Sequence, residues 1–121
     1  MRTRPDVIRA IDLPSGKVDV DEAGYLVDPS DWSRDFALKV AADEGIAATD
    51  LHWRVLGFMR SYHDNHGIAA DARFVMRFLG DELGLDKHDA KEKLFELFPF
   101  GYVKQACKMA GMRQPRAWST G

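Results

Sequence analysis

The chain has 121 residues, which suits one domain with one modest core and leaves little room to enclose a large cofactor. It is 45% hydrophobic and 30% charged, the balance of a soluble globular domain, and no apolar run approaches the ~20 residues of a membrane span. The net charge of −2 singles out no class of partner, and the single cysteine, Cys107, excludes an intrachain disulfide and a cysteine-based zinc site.

The chain opens with positive charge, but no apolar core of the kind a secretory signal carries follows it, which argues against such a signal. A reducing cytoplasm fits that start and the lone thiol, and a membrane partner is not expected. Residues 7–27 read as β structure. Val7 to Leu13 is apolar and partly alternating, Pro14-Ser15-Gly16 is a turn signal, Lys17 to Val20 alternates strictly, and Tyr25-Leu26-Val27 resumes after a turn at Asp21 to Gly24. Three short strands in an antiparallel meander are the simplest reading, and so small a sheet needs a helical layer over one face.

From Asp28 the apolar period changes to that of a helix. The first helix is expected to start at Asp28-Pro29-Ser30, carry Trp32, Phe36 and Val40, and end at Gly45. Thr49 caps a second, with Leu51, Val55, Phe58 and Tyr62, ending near His66-Gly67. Asp71 caps a third, closed by Gly84, and Asp86 caps a fourth that Pro99 stops. A fifth runs from about Tyr102 to Ala110, with Gly111 following. The expected fold is therefore α+β and mostly α: a small N-terminal antiparallel sheet on about five short helices. Trp32, Phe36, Trp53, Phe74, Phe78, Leu94 and Phe98 are the expected core. Residues 1–112 form the single domain, and 113–121 a flexible C-terminal arm.

No nucleophile elbow, phosphate-binding glycine loop or marked carboxylate pair is present, so a stand-alone hydrolase is not supported. His63 and His66 share a helix end, but nothing completes a metal-ligand pattern. No metal site and no cofactor are expected, and His52 beside Trp53 reads as a core histidine. The second and third helices could form a helix-turn-helix. However, Asp71, Asp81 and Glu82 beside Arg73 and Arg77 make a poor phosphate-facing surface, so a nucleic acid remains only a rival partner. After Glu96 the chain carries Lys104, Lys108, Arg113 and Arg116 with no acid. This basic end is either a solvated face or a docking surface for an acidic partner or an anion.

Leu97-Phe98-Pro99-Phe100-Gly101-Tyr102-Val103-Lys104-Gln105-Ala106-Cys107-Lys108-Met109-Ala110-Gly111 resembles the most diagnostic stretch of the DsrC/TusE family of sulfur-relay proteins, around its Lys-Gln-Ala-Cys-Lys core. Further similar blocks follow in order: Asp21 to Leu26, Asp31-Trp32, Glu44-Gly45-Ile46 with Thr49, His52-Trp53, and Phe58, Arg60 and Tyr62. Together they cover about residues 17 to 115. The resemblance implies a small sheet on an orthogonal helical bundle with a flexible arm. It also implies docking on a sulfurtransferase, a Tus-type complex or a dissimilatory sulfite reductase.

Family members typically carry sulfur on a penultimate arm cysteine, which a second cysteine in the preceding helix can pair with. Cys107 matches that helix cysteine, and Trp118 falls about where the arm cysteine should be. The resemblance therefore points to the branch without the arm thiol, with accessory or regulatory roles. Cys107 is the one candidate sulfur acceptor. Lys104, Lys108, Arg113, Arg116 and Trp118 are the candidate partner- or anion-binding residues. Lys104 and Lys108 would favour a Cys107 thiolate, whereas the C-terminal end of the helix disfavours one by a similar amount, roughly 0.3–1 kcal/mol. The alternative is a non-catalytic binding module that kept the docking surface and lost the chemistry.

Overall fold

The computed structural model describes residues 7–114. Two strands, β1 (Ile8–Leu13) and β2 (Gly16–Asp21), pair antiparallel with Ile8 opposite Asp21 and Leu13 opposite Gly16. The expected third strand shrinks to one bridge between Val20 and Leu26. The cause is Asp21, whose carboxylate accepts from the amides of Ala23 and Tyr25, while its own amide donates to the Tyr25 carbonyl. The side chain thus occupies backbone donors that a continued ladder would have used. Leu13, Val20, Tyr25 and Leu26 are buried on the helix-facing side.

Asp28 caps a short 3-10 turn at Pro29–Asp31, and α1 (Arg34–Glu44) begins only after Ser33, whose hydroxyl accepts from the Phe36 amide. Trp32 therefore precedes α1, contrary to the sequence expectation. Helix α2 (Asp50–His66) starts on Thr49, where the Thr49 hydroxyl accepts from the His52 amide and His52 Nδ1 accepts from the Thr49 amide. This is a capping box with histidine in the reciprocal position. Asp71 caps α3 (Ala72–Leu83) and Asp86 caps α4 (Lys87–Leu97), both as expected. The fifth helical segment, Tyr102–Cys107, winds as a π-helix and then closes through Lys108 and Met109.

One hydrophobic core joins these elements. Val55, Leu56 and Met59 of α2 share this core with Phe36 and Val40 of α1, Val75 and Leu79 of α3, Leu94 and Leu97 of α4, and Ala106, Cys107 and Met109 of the last segment. Of the seven expected core residues, Phe36, Leu94 and Phe98 are buried, whereas Trp32, Trp53, Phe74 and Phe78 are half-buried. Phe78 stacks on Phe58 and Phe74 on Tyr62, with ring centres 4.7 and 5.5 Å apart, forming an aromatic seam at the edge of the α2–α3 contact. Trp53 lies under the Arg34 guanidinium, 4.0 Å from its ring centre. Large rings at a helix seam reach past the core, so the smaller Val75 and Leu79 fill its centre instead.

Candidate functional site: the last helical segment and its thiol

The segment carrying Cys107 is held from several sides. Gly101, at φ 103°, starts it, and the Gly101 amide donates to the Phe98 carbonyl across a tight turn. Buried Gln105 turns back on that turn and accepts from the Phe100 amide at 2.9 Å. Its amide nitrogen donates to Glu44 of α1 at 3.1 Å, and Glu44 also meets the Lys108 ammonium at 3.4 Å. The Tyr25 hydroxyl donates to the Val103 carbonyl, and burial raises its pKa. The Tyr102 hydroxyl donates to the Ala70 carbonyl, and burial raises that pKa as well. The loop after β2, α1 and the loop before α3 thus converge on this segment.

The carbonyls that end the segment are all satisfied. Met112 donates its amide to the Cys107 carbonyl and Gly111 to that of Lys108, the paired bonds of a Schellman motif with Gly111 at φ 76°. The Met109 carbonyl accepts from Trp32 Nε1 at 2.7 Å, and the Ala110 carbonyl from Arg60 Nη1 at 2.8 Å. Arg60 also donates through Nη2 to the Pro29 carbonyl, and its guanidinium sits 4.7 Å from the centre of the Trp32 ring. Burial lowers the pKa of Arg60, and the nearby Asp64 carboxylate works against that fall.

Cys107 itself is 1% exposed. Burial pushes its thiol up to about 12, and the Tyr102 hydroxyl beside it works in the opposite direction. That hydroxyl has one proton, already given to Ala70, so toward sulfur it is placed to accept from S–H. Stabilising a thiolate would require Tyr102 to release Ala70. Lys108, expected to favour the thiolate, turns instead to Glu44 and lies over the Tyr25 ring at 5.2 Å.

The expected basic end is therefore not one free patch among the described residues. Lys108 is paired, Arg113 donates to the Val27 carbonyl, and Lys104 is exposed with no hydrogen bond or ion pair. Arg116 and Trp118 lie outside the described residues. Sequence reasoning missed Trp32 and Arg60 as supports of the segment, because nothing local marks a side chain that caps a helix nearly 80 or 50 residues away. It read His52 correctly: the ring is buried, with Nε2 2.8 Å from the Leu97 carbonyl. Of the histidines weighed as ligands, His66 packs at a tilt against Tyr62, with ring centres 4.2 Å apart. A metal-sized cluster among the described residues, His88 with Asp89 and Glu92, is exposed on α4. Asp89 lies 3.4 Å from His88 Nδ1 and Glu92 3.7 Å from His88 Nε2.

These features define a small α+β domain with one enclosed thiol on its last helical segment. The chain belongs to the DsrC-like family: the model described as "DsrC like protein" matches residues 13–117. It is 35% identical over 99 residues to the sulfurtransferase TusE homolog of Haemophilus influenzae, covering 82% of this chain and 90% of that one. It is 36% identical over 99 residues to the sulfurtransferase TusE of Buchnera aphidicola, covering 82% and 86%. Among solved structures, it is similar to Allochromatium vinosum DsrC at 33% identity and a TM-score of 0.78, covering 92% of this chain and 98% of that one. The oxidized gamma-subunit of the dissimilatory sulfite reductase from Archaeoglobus fulgidus matches at 27% identity and a TM-score of 0.78, covering 90% and 98%. The mostly helical α+β architecture expected from the sequence, with a small N-terminal antiparallel sheet, is the architecture of this family.

Proposed function

We propose that this protein is a sulfur-relay accessory that docks on a sulfurtransferase, a Tus-type complex or a dissimilatory sulfite reductase, with Cys107 as its covalent sulfur site. The observation that carries this reading is that the family match runs through the whole segment from Tyr102 to Met112, in which Cys107 is the one sulfur nucleophile. Its relatives are named as sulfurtransferases and as a sulfite reductase subunit.

The step is a simple exchange. The Cys107 thiolate attacks the outer sulfur of a donor persulfide, a new S–S bond forms, the donor's S–S bond breaks, and the donor leaves as a thiolate. No external oxidant or reductant is needed. The closed thiol sets the condition for this step: a Cys107 shifted to about 12 and shut in the core is not a nucleophile near neutral pH, so loading requires local opening.

One observation favours a second reading, a non-catalytic docking module of the same fold. Cys107 is 1% exposed and its carbonyl, backbone and side chain are all engaged, as in a structural cysteine. The two readings separate by paired assays on one preparation: binding to a purified sulfurtransferase or dissimilatory sulfite reductase, and sulfur uptake from a persulfide donor. The relay reading expects both, and the docking module expects binding alone. A protein that does neither contradicts both.

A further inference from the structure

The four carbonyls from Cys107 to Ala110 end a helix, and such groups normally face water or a cap contributed by nearby chain. Here the first two are closed by the local Schellman bonds, but the last two depend on remote side chains. Trp32 Nε1 holds Met109 at 2.7 Å, and Arg60 Nη1 holds Ala110 at 2.8 Å. The two remote caps are coupled. Arg60 stacks on the Trp32 ring and ties itself to the Pro29 carbonyl just before it, at 2.9 Å. Gly111 fits flat against the same indole: a Cβ there would lie 2.4 Å from Trp32 Cδ1.

The thiol sits at the beginning of this capped turn. Its other neighbours close it from the loop after β2, α1 and the loop before α3, but they grip the front of the segment, at Tyr102, Val103 and Gln105. The carbonyls beyond Lys108 are held by Trp32 and Arg60, and the same end carries the Lys108–Glu44 contact and the Arg113 bond to the Val27 carbonyl. A helix frays from its free end. The cap is therefore placed where fraying would reach Cys107 soonest.

We propose that Trp32 and Arg60 form a latch that keeps Cys107 closed, and that release of this latch, not unfolding of the domain, is what exposes the thiol to a sulfur donor. The inference rests on the reading of Cys107 as the sulfur site, and it adds how access to that site is controlled. Trp32 and Arg60 are positioning residues: neither touches the reacting sulfur. Arg60 is suited to the task because one guanidinium serves two carbonyls and a ring at once, so loss of one contact loosens the others.

Alkylation of Cys107 by iodoacetamide under native conditions tests this, because it reads access to the thiol and requires no sulfur donor. Trp32→Phe keeps a ring against Gly111 and removes the bond to Met109. Arg60→Met keeps the stem and removes both carbonyl bonds. Val75→Ala, in the core of α3, lowers global stability and removes neither of the latch's carbonyl bonds. The latch predicts that Trp32→Phe and Arg60→Met each speed alkylation by about tenfold, beyond the factor their urea-measured stability loss supplies. Val75→Ala should leave the rate in water unchanged. Alkylation that tracks global stability in all three variants, or that is unchanged in both latch variants, overturns the proposal. Should Arg60→Met fail to fold, Trp32→Phe decides alone. A failed latch with normal sulfur uptake leaves the relay reading standing, and a working latch with no sulfur uptake leaves only the docking module.

Discussion

Gly111 and Trp32 meet with no space for a side chain between them: a Cβ on Gly111 would lie 2.4 Å from the indole Cδ1 and 2.9 Å from Cβ of Trp32. Glycine is demanded twice over, since φ at this position is 76°. Gly111→Ala must therefore strain the backbone and push the indole off the Met109 carbonyl. The expected cost is about 2–4 kcal/mol, combining a left-handed alanine with overpacking. A shift in the urea midpoint worth less than ~1 kcal/mol would mean that the ring swings away freely.

Lys104 and Lys108 should behave differently, although the sequence presents them as one basic stretch. Lys108 is 17% exposed and faces Glu44, so Lys108→Glu sets two enclosed carboxylates against each other and should cost about 2–4 kcal/mol. Lys104 is exposed and unpaired among the described residues, so Lys104→Glu should change stability by less than ~0.5 kcal/mol. It should, however, weaken docking on an acidic partner and flatten the salt dependence of binding. Binding that is lost in Lys108→Glu at unchanged stability would reverse this assignment.

His52 joins the start of α2 to the end of α4, with Nδ1 accepting from the Thr49 amide and Nε2 reaching the Leu97 carbonyl. The ring is also edge-on to Phe98, with centres 5.2 Å apart. His52→Leu fills similar space but orphans both backbone groups, at an expected cost of about 2–4 kcal/mol. Thermal or urea unfolding checks this. A neutral substitution would show that water replaces the ring's two partners.

Alkaline stability should carry a signature of the closed thiol. The folded pKa of Cys107 is raised from 9.0 to about 12, so the unfolded chain loses the proton first. The contribution is whole below pH 9 and is lost as pH rises from 9 towards 12. Burial also raises Tyr25 and Tyr102, which add their own loss above pH 10. Cys107→Ala should remove the component that begins near pH 9 and keep the steeper one. Identical pH–stability profiles for wild type and Cys107→Ala would show a solvent-exposed thiol.

The helix boundaries were legible because their punctuation is local: Thr49, Asp71 and Asp86 each cap the helix that follows, and Gly45 and Gly84 close α1 and α3. The third strand was not, because the fate of Tyr25 depended on which donors the Asp21 carboxylate would take. The start of α1 was misplaced for a similar reason. Asp28 and Ser33 are both good caps, and the first closes only a 3-10 turn. Of the site, the sequence marked Cys107 and the charged residues around it. It could not show that Lys108 would be neutralised by Glu44, that the segment would widen into a π-helix, or that Trp32 and Arg60 would finish it. Those facts arise from contacts across 50 to 78 residues of chain, which no local pattern encodes.

The central claim is that this chain can hold relay sulfur on Cys107 and nowhere else. Intact mass measurement after incubation with a persulfide-loaded sulfurtransferase tests it most directly, run on wild type and Cys107→Ser. The account predicts a wild-type species heavier by one sulfur atom, reversible by a thiol reductant, and no such species in Cys107→Ser. Wild-type protein that binds the sulfurtransferase yet stays at its unmodified mass, or an equal gain in Cys107→Ser, would contradict it.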